Sequence, residues 1–297
     1  MAPEHFAPVG WQIWKLPAYL TMLVIGIAIG STYSGPFELP VKIFFLVFGA
    51  LQFIGIFGLM HESAHGHLAA NGKANRRLGE LMSVIVGTSY PGYRAAHLTH
   101  HAKFRTEDDP QEVIFPRRPA PVTMALLTVA SVVGAPVFLL VRAPIIALKR
   151  TNVFRALWGP VAAVALYATL FQILPSAQAK FLLLTIVAGT VLGSLNDMVY
   201  HQGLVADNSL RASTSFDCDV FGQAFLSGAN RHAEHHAYPA VPGPRLVKVA
   251  KVLREEFRAI GVPYERSFTV AYLRRFFGNP LFLPPVDRPA EPVKAAE

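Results

Sequence analysis

Of the eleven histidines in the 297 residues, most fall in tight groups. His61 and His65 form HxxxH, with His67 directly after Gly66. His97, His100 and His101 form HxxHH, and His232, His235 and His236 repeat that spacing; His201 stands alone and His5 is isolated near the start. On a helix, residues three and four apart share a face, so His61 and His65 converge, and each HxxHH aligns its first histidine with the other two. The adjacent pair in each HxxHH diverges by roughly 100°, which suits one ligand to each of two neighbouring metals. Any single histidine is an ordinary polar residue more often than a ligand. Independent placement, however, yields one HxxHH on the order of once in a hundred such chains, and two far more rarely. A buried set of imidazoles also needs partners for its ring nitrogens, and metal ions supply them.

Structural zinc is satisfied by four ligands and catalytic zinc by three. Eight box histidines, with His201 as a ninth, therefore imply two metals. Imidazole suits several metals, and two irons are the best redox pair. His67 is less suited, because Gly66 ends the helix and turns it away, and His5 reads as a surface residue. A nitrogen-rich, carboxylate-poor pair of irons beside a membrane points to dioxygen activation on a lipid-soluble substrate. The lone Cys218 excludes an intrachain disulfide, a CxxC redox pair and an iron–sulfur cluster held by this chain alone.

These histidines need a membrane scaffold. The chain is 52% hydrophobic and only 15% charged, too little polar surface to coat a soluble globule of this size. The formal charge of +8 fits the basic cytoplasmic face of a membrane protein, and no nucleic-acid partner is expected. Leu16 to Phe37 is uncharged, follows Trp11, Trp14 and Lys15, and is long enough to cross a bilayer. After the Ser34–Gly35–Pro36 turn, Ile43 to Met60 returns to the side where the histidines begin. Three further apolar runs, Pro119–Val141, Ala156–Ala179 and Phe181–Asn196 (extending to Tyr200), separate the first histidine groups from the last. A shared site requires an even number of crossings between them. Pro119–Val141 is read as interfacial or re-entrant, because Pro136 and the nearby Pro144 break a helix there, with a true crossing as the alternative. Arg142, Lys149, Arg150 and Arg155 then mark a cytoplasmic loop. The apolar patch Leu81–Thr88 interrupts a hydrated region, Leu246–Ile260 reads as an amphipathic helix, and the segment from Pro284 onward reads as a loose tail.

The expected fold is an all-α integral membrane protein, with four transmembrane helices and a cytoplasmic, histidine-rich helical cap. The three boxes, His61-Glu-Ser-Ala-His-Gly-His67, His97-Leu-Thr-His-His101 followed by Thr106–Pro110, and His232-Ala-Glu-His-His236 followed by Ala237–Tyr238–Pro239, resemble the membrane fatty acid desaturase/hydroxylase superfamily. That superfamily includes acyl desaturases and carotenoid ketolases. The likeness spans residues 40–245 and implies one desaturase-like membrane domain over 1–283, with 284–297 as a flexible tail. It implies His61, His65, His97, His100, His101, His232, His235 and His236 as ligands of two irons, without haem or flavin. Acyl desaturases often carry a further histidine after the last span, preceded by an asparagine, and here His201 and Asn196 correspond loosely.

Desaturation of a fatty-acyl or lipid chain with O2 is the implied reaction. The box-two tail and the HAEHHAYP ending look somewhat like the ketolase branch, so hydroxylation or ketolation of a lipid or carotenoid is the alternative. A membrane metal transporter is the remote one. Electrons come from an external donor such as ferredoxin with an NAD(P)H reductase, and the bacterial inner membrane is the expected location. Glu62, Asp109, Asp197 and Glu234 are candidates to hold a ligand's distal nitrogen. Asn196, Asp197 and Glu234 are the residues assigned catalytic roles, and Asn230 is either a family position or a helix cap. Phe45, Phe48 and Phe53 line a substrate path or simply face lipid.

Overall fold

The protein is described from a computed structural model that covers residues 3–106, 108–111, 131–201, 204 and 209–271. A short 3-10 helix, Gly10–Trp14, leads into α1 (Lys15–Thr32), and α2 (Glu38–His65) returns antiparallel to it. Between them lies the turn expected at Ser34–Pro36. α2 ends where Gly66 adopts φ +86°, open to glycine without strain. The Gly66 and His67 amides then bond back to the Ser63 and Glu62 carbonyls, each at 3.0 Å, closing the helix.

α3 (Gly72–Val86) starts at Asn71, whose side-chain oxygen accepts from the Lys73 and Ala74 amides. α4 (Tyr90–Lys103) carries the second box and packs on α5 (Gly134–Leu148). α6 (Val153–Ile173) is capped by Asn152, and α7 (Ser176–His201) completes the apolar helices. Beyond them lie β1 (Ser215–Phe216), α8 (Asp219–Phe225), α9 (His232–Ala237), α10 (Gly243–Ala259) and β2 (Tyr264–Glu265). β1 and β2 pair in parallel over two residues each, the sole sheet among the described residues.

Among the described residues, four helices are long and apolar enough to cross a membrane: Gly10–Thr32, Glu38–His65, Val153–Ile173 and Ser176–His201. They are the four expected spans, with α7 starting earlier than expected, at Ser176. Two of them lie between the second box and His201, an interval that also holds residues 112–130, outside the described residues. Most of the Pro119–Val141 run lies outside the described residues. Its described end comprises a 3-10 turn, Ser131–Val133, and the first residues of α5, a helix of 15 residues among the described ones. Pro136 and Pro144 do not break that helix as expected. The turn Phe138–Arg142 is π-helical, and this wider winding accommodates the amide that Pro144 lacks.

Small residues let the spans approach closely, as helices do where lipid removes the hydrophobic drive between them. A Cβ at Gly55 would fall 2.6 Å from the Tyr19 ring, one at Gly49 2.7 Å from Thr185, and one at Gly30 2.3 Å from Phe181. Phe45 and Phe48 pack against Gly26 of α1, and Phe53 against Gly189 of α7, so these phenylalanines serve helix contacts. Val24, Phe44, Val161, Val164, Leu184 and Val187 remain exposed on the outer faces, where lipid would cover them. The expected amphipathic helix Leu246–Ile260 coincides with α10 up to Ala259, and its Leu246, Val249, Ala250 and Phe257 are buried.

Candidate metal centre

The centre is built where α2 and α7 end. His61 and His65 close α2, and His201 closes α7. α4 supplies His97, His100 and His101, and the short α9 supplies His232, His235 and His236. Two groups result. Ligand atoms of His61, His65, His97, His101 and His235 lie within 4.8 Å of one another, as do those of His100, His201 and His236. His232 joins the second group, its Nε2 being 2.9 Å from that of His201 and 3.2 Å from that of His236. The groups abut, with the His101 and His236 rings 4.6 Å apart. Each adjacent pair, His100–His101 and His235–His236, divides between the two groups, the divergence that i and i+1 on a helix impose.

The spacing inside each group tests the fit to metal. His97 Nε2 lies 2.8 Å from His65 Nε2 and 3.1 Å from His101 Nε2. A ring nitrogen either donates or accepts, so three nitrogens meeting at one point cannot all be satisfied by each other. Two nitrogens bound at right angles to one ion at about 2.1 Å would be about 3.0 Å apart, which matches these separations. His235 Nε2 is buried with no hydrogen-bond partner among the described residues. Burial, reinforced by the neighbouring imidazoles, holds His97, His101, His232, His235 and His236 well below the ordinary histidine pKa. The resulting neutral imidazole is the form that binds metal.

Surrounding groups orient the rings. His100 Nδ1 sits 3.0 Å from both oxygens of buried Asp109, which also accepts from the Arg105 and Gln111 amides. His201 Nδ1 donates to the Ala212 carbonyl at 3.0 Å, leaving Nε2 toward the other histidines. Tyr93 stacks on His97, Tyr200 stacks on His232, and Phe104 packs against His100, His201 and His236. The sequence reading missed this aromatic sheath. Its signal was present in spacing, since Tyr93 precedes His97 by four residues and Phe104 follows His100 by four. The Ala212 carbonyl left no such signal.

The other candidates separate by position. Asp197 lies one turn before His201 on the same face of α7, within Coulombic range of His100 and His61. Asn196 points elsewhere, and its Oδ1 accepts from Tyr200 Oη at 3.4 Å. Glu234 is fully buried, but its oxygens accept from Ser215 Oγ and, at 2.8 Å, from Tyr264 Oη. Both lie on or beside the small sheet, so Glu234 holds α9 to it and leaves no oxygen engaged with a histidine. Asn230 is not a cap; its amide donates to the Phe216 carbonyl and to Asp219, each at 3.0 Å. Glu62 is buried 3.7 Å from His61 Nδ1 and 3.5 Å from His67 Nδ1, and accepts from Gln12 Nε2 and the Gly243 amide. His67 is buried but stands outside both histidine groups.

Four apolar helices long enough to span a bilayer among the described residues, with nine histidines from two of their ends and from α4 and α9 gathered in two adjoining groups, define a membrane protein of the diiron histidine-box class. The fatty acid desaturase family pattern matches residues 38–268, so the chain belongs to that family. No curated protein matches it closely.

Proposed function

We propose that this protein is a membrane diiron desaturase that introduces a double bond into a fatty-acyl or related lipid chain. The observation that carries the reading is the junction of two histidine groups, each with its own converging ring nitrogens, at the ends of membrane-length helices. His61, His65, His97, His101 and His235 would hold one iron, and His100, His201, His232 and His236 the other. Bound there, the irons would supply dioxygen activation and removal of hydrogen from an unactivated C–H bond. Overall, one O2, two electrons and two protons join the two hydrogens taken from the chain to give two waters and an alkene.

The chain's own part is to hold and shield. Asp109 and the Ala212 carbonyl fix the tautomers of His100 and His201, so that Nε2 is the ligand atom of each. Tyr93, Tyr200 and Phe104 keep water from the rings. Asp197 would face the centre from α7 and orient what binds there, whereas Asn196 would hold Tyr200, the ring that stacks on His232, and Glu234 would anchor α9. A lipid would enter from the bilayer between the spans. An external carrier such as ferredoxin, with its NAD(P)H reductase, would bring the electrons. The basic residues Lys149 and Arg150, in the turn after α5, and Arg155, in the first turn of α6, favour a cytoplasmic centre in a bacterial inner membrane. A transporter would carry its ligands near mid-bilayer on broken helices, unlike histidines set at helix ends.

Mass spectrometry of lipids from cells expressing the protein, beside the His235→Ala variant, tests the assignment. Loss of two hydrogens per product, absent in the variant, is the expected result. Gain of one oxygen would reassign the enzyme as a hydroxylase or ketolase. No change in either direction, with a matched reductase present, would refute oxidation of lipid.

A further inference from the structure

A cleft of about 540 Å³ opens beside the end of α2, lined by Gly66, Asn71, Lys73, Arg76, Tyr90 and Arg94. Its floor is hydrogen-bonded to α2: Asn75 Nδ2 donates to the Ser63 carbonyl at 2.6 Å, and Tyr90 Oη to the same carbonyl at 3.0 Å. Its rim is cationic. Lys73, Arg76 and Arg94 are exposed, Arg77 extends the patch along α3, and among the described residues no carboxylate forms an ion pair with any of the four. The far end of α3 packs on the spanning helix α6, through Tyr167 Oη on the Ile85 carbonyl. The cationic end is therefore the end away from that contact. Gly66, in the wall of the cleft, directly follows His65, and Arg94 stands on α4 one turn before His97.

We propose that this basic cleft is the docking surface for an acidic one-electron carrier protein. The inference rests on the oxidative reading above. That chemistry consumes two electrons, and a chain with one cysteine cannot bind an iron–sulfur cluster of its own to supply them. Unpaired cations steer and orient an acidic partner. A partner seated against Gly66 would lie one residue from the histidine cluster, a proximity that electron transfer requires and lipid anchoring does not. The carrier is oxidised by one electron at each encounter, so two encounters supply one turnover.

The test uses the full-length, iron-loaded protein in detergent, titrated by calorimetry with an acidic [2Fe–2S] ferredoxin at low and at physiological salt. Replacing Lys73, Arg76 and Arg94 together by Glu should weaken binding about tenfold or more and remove most of its salt dependence. The set Lys73→Gln, Arg76→Gln and Arg94→Gln should fall between and decides the matter if the Glu set loses iron through misfolding. Lys248→Glu with Lys251→Glu, on the exposed face of α10, should leave binding unchanged. Undiminished binding by both cleft sets, loss through the α10 pair instead, or no binding by the unaltered protein would overturn the proposal. So would a cleft variant that keeps its ferredoxin affinity and loses only its preference for phosphatidylglycerol over phosphatidylcholine in nanodiscs, since the occupant is then an anionic lipid. Ferredoxin-driven lipid oxidation that is equal in cleft variants and unaltered protein would leave the proposed function standing and remove only this surface.

Discussion

His100 and Asp109 face each other with Nδ1 3.0 Å from both carboxylate oxygens, nine residues apart in sequence and both buried. The carboxylate fixes the proton on Nδ1 and so presents Nε2 to the second histidine group. Replacing Asp109 by Ala should weaken metal binding at that group by about 10–100-fold. Asp109→Asn, whose oxygen still accepts from Nδ1, should lose less. Competition against a graded chelator, read by metal analysis, measures this, and equal affinity in all three proteins would refute the role.

The two groups should also empty separately. His97→Ala strikes the first and His201→Ala the second. Each should lower bound iron by roughly half, because the remaining group keeps its own ligands. Metal analysis of purified variants checks this. Complete loss in both variants would mean that the ions bind only as a pair, and no loss in either would leave the clusters without a metal role.

Much of this centre was legible in spacing. HxxHH states that its adjacent rings part between two groups, because the angle between neighbours on a helix is fixed, and run length with crossing parity states that four spans are needed. What stayed hidden depends on contacts between distant segments. Glu234 reads as a ligand's neighbour in HAEHH, yet its partners Ser215 and Tyr264 come from 19 and 30 residues away, joined only once β1 and β2 pair. The prolines of α5 read as breaks because a sequence pattern does not announce a π-helical turn. Gly92, four residues before Ala96 on an unremarkable stretch, gives no sign of the helix that crosses it.

That crossing is exacting. A Cβ on Gly92 would fall 1.8 Å from the Ala143 carbonyl oxygen of α5, a backbone atom that cannot swing aside. Gly92→Ala should therefore push α4 from α5, costing about 3 kcal/mol, at the upper end for overpacking. Since α4 carries His97, His100 and His101, iron content should fall with thermal stability. Gly72→Ala, where a Cβ meets nothing within 4 Å, is the control and should retain iron. Melting temperature and iron content, measured together, would contradict this account if Gly92→Ala matched the unaltered protein.

Arg231 immediately precedes the third box and forms ion pairs with Asp217 at 2.6 Å and Asp219 at 2.8 Å, while Arg254 also binds Asp217. Burial pushes both carboxyl groups up, but the hydrogen bonds from Arg254 and Arg231 to Asp217, and from Arg231 and Asn230 to Asp219, outweigh it and leave each pKa below the ordinary value. Carboxyls depressed on folding contribute stability that is fully present above their unfolded pKa, about 3.9, and lost as pH falls through the lower folded value. Both aspartates are partly exposed, so water and salt screen the effect and the change should be modest. The network should hold α9 in place at neutral pH and loosen only in strong acid. Asp217→Asn should lower the melting temperature at pH 7 and flatten its fall below pH 4, because one titrating partner is gone. An equally steep acid decline in that variant would show that the stability of this region is not tied to the Arg231 pairs.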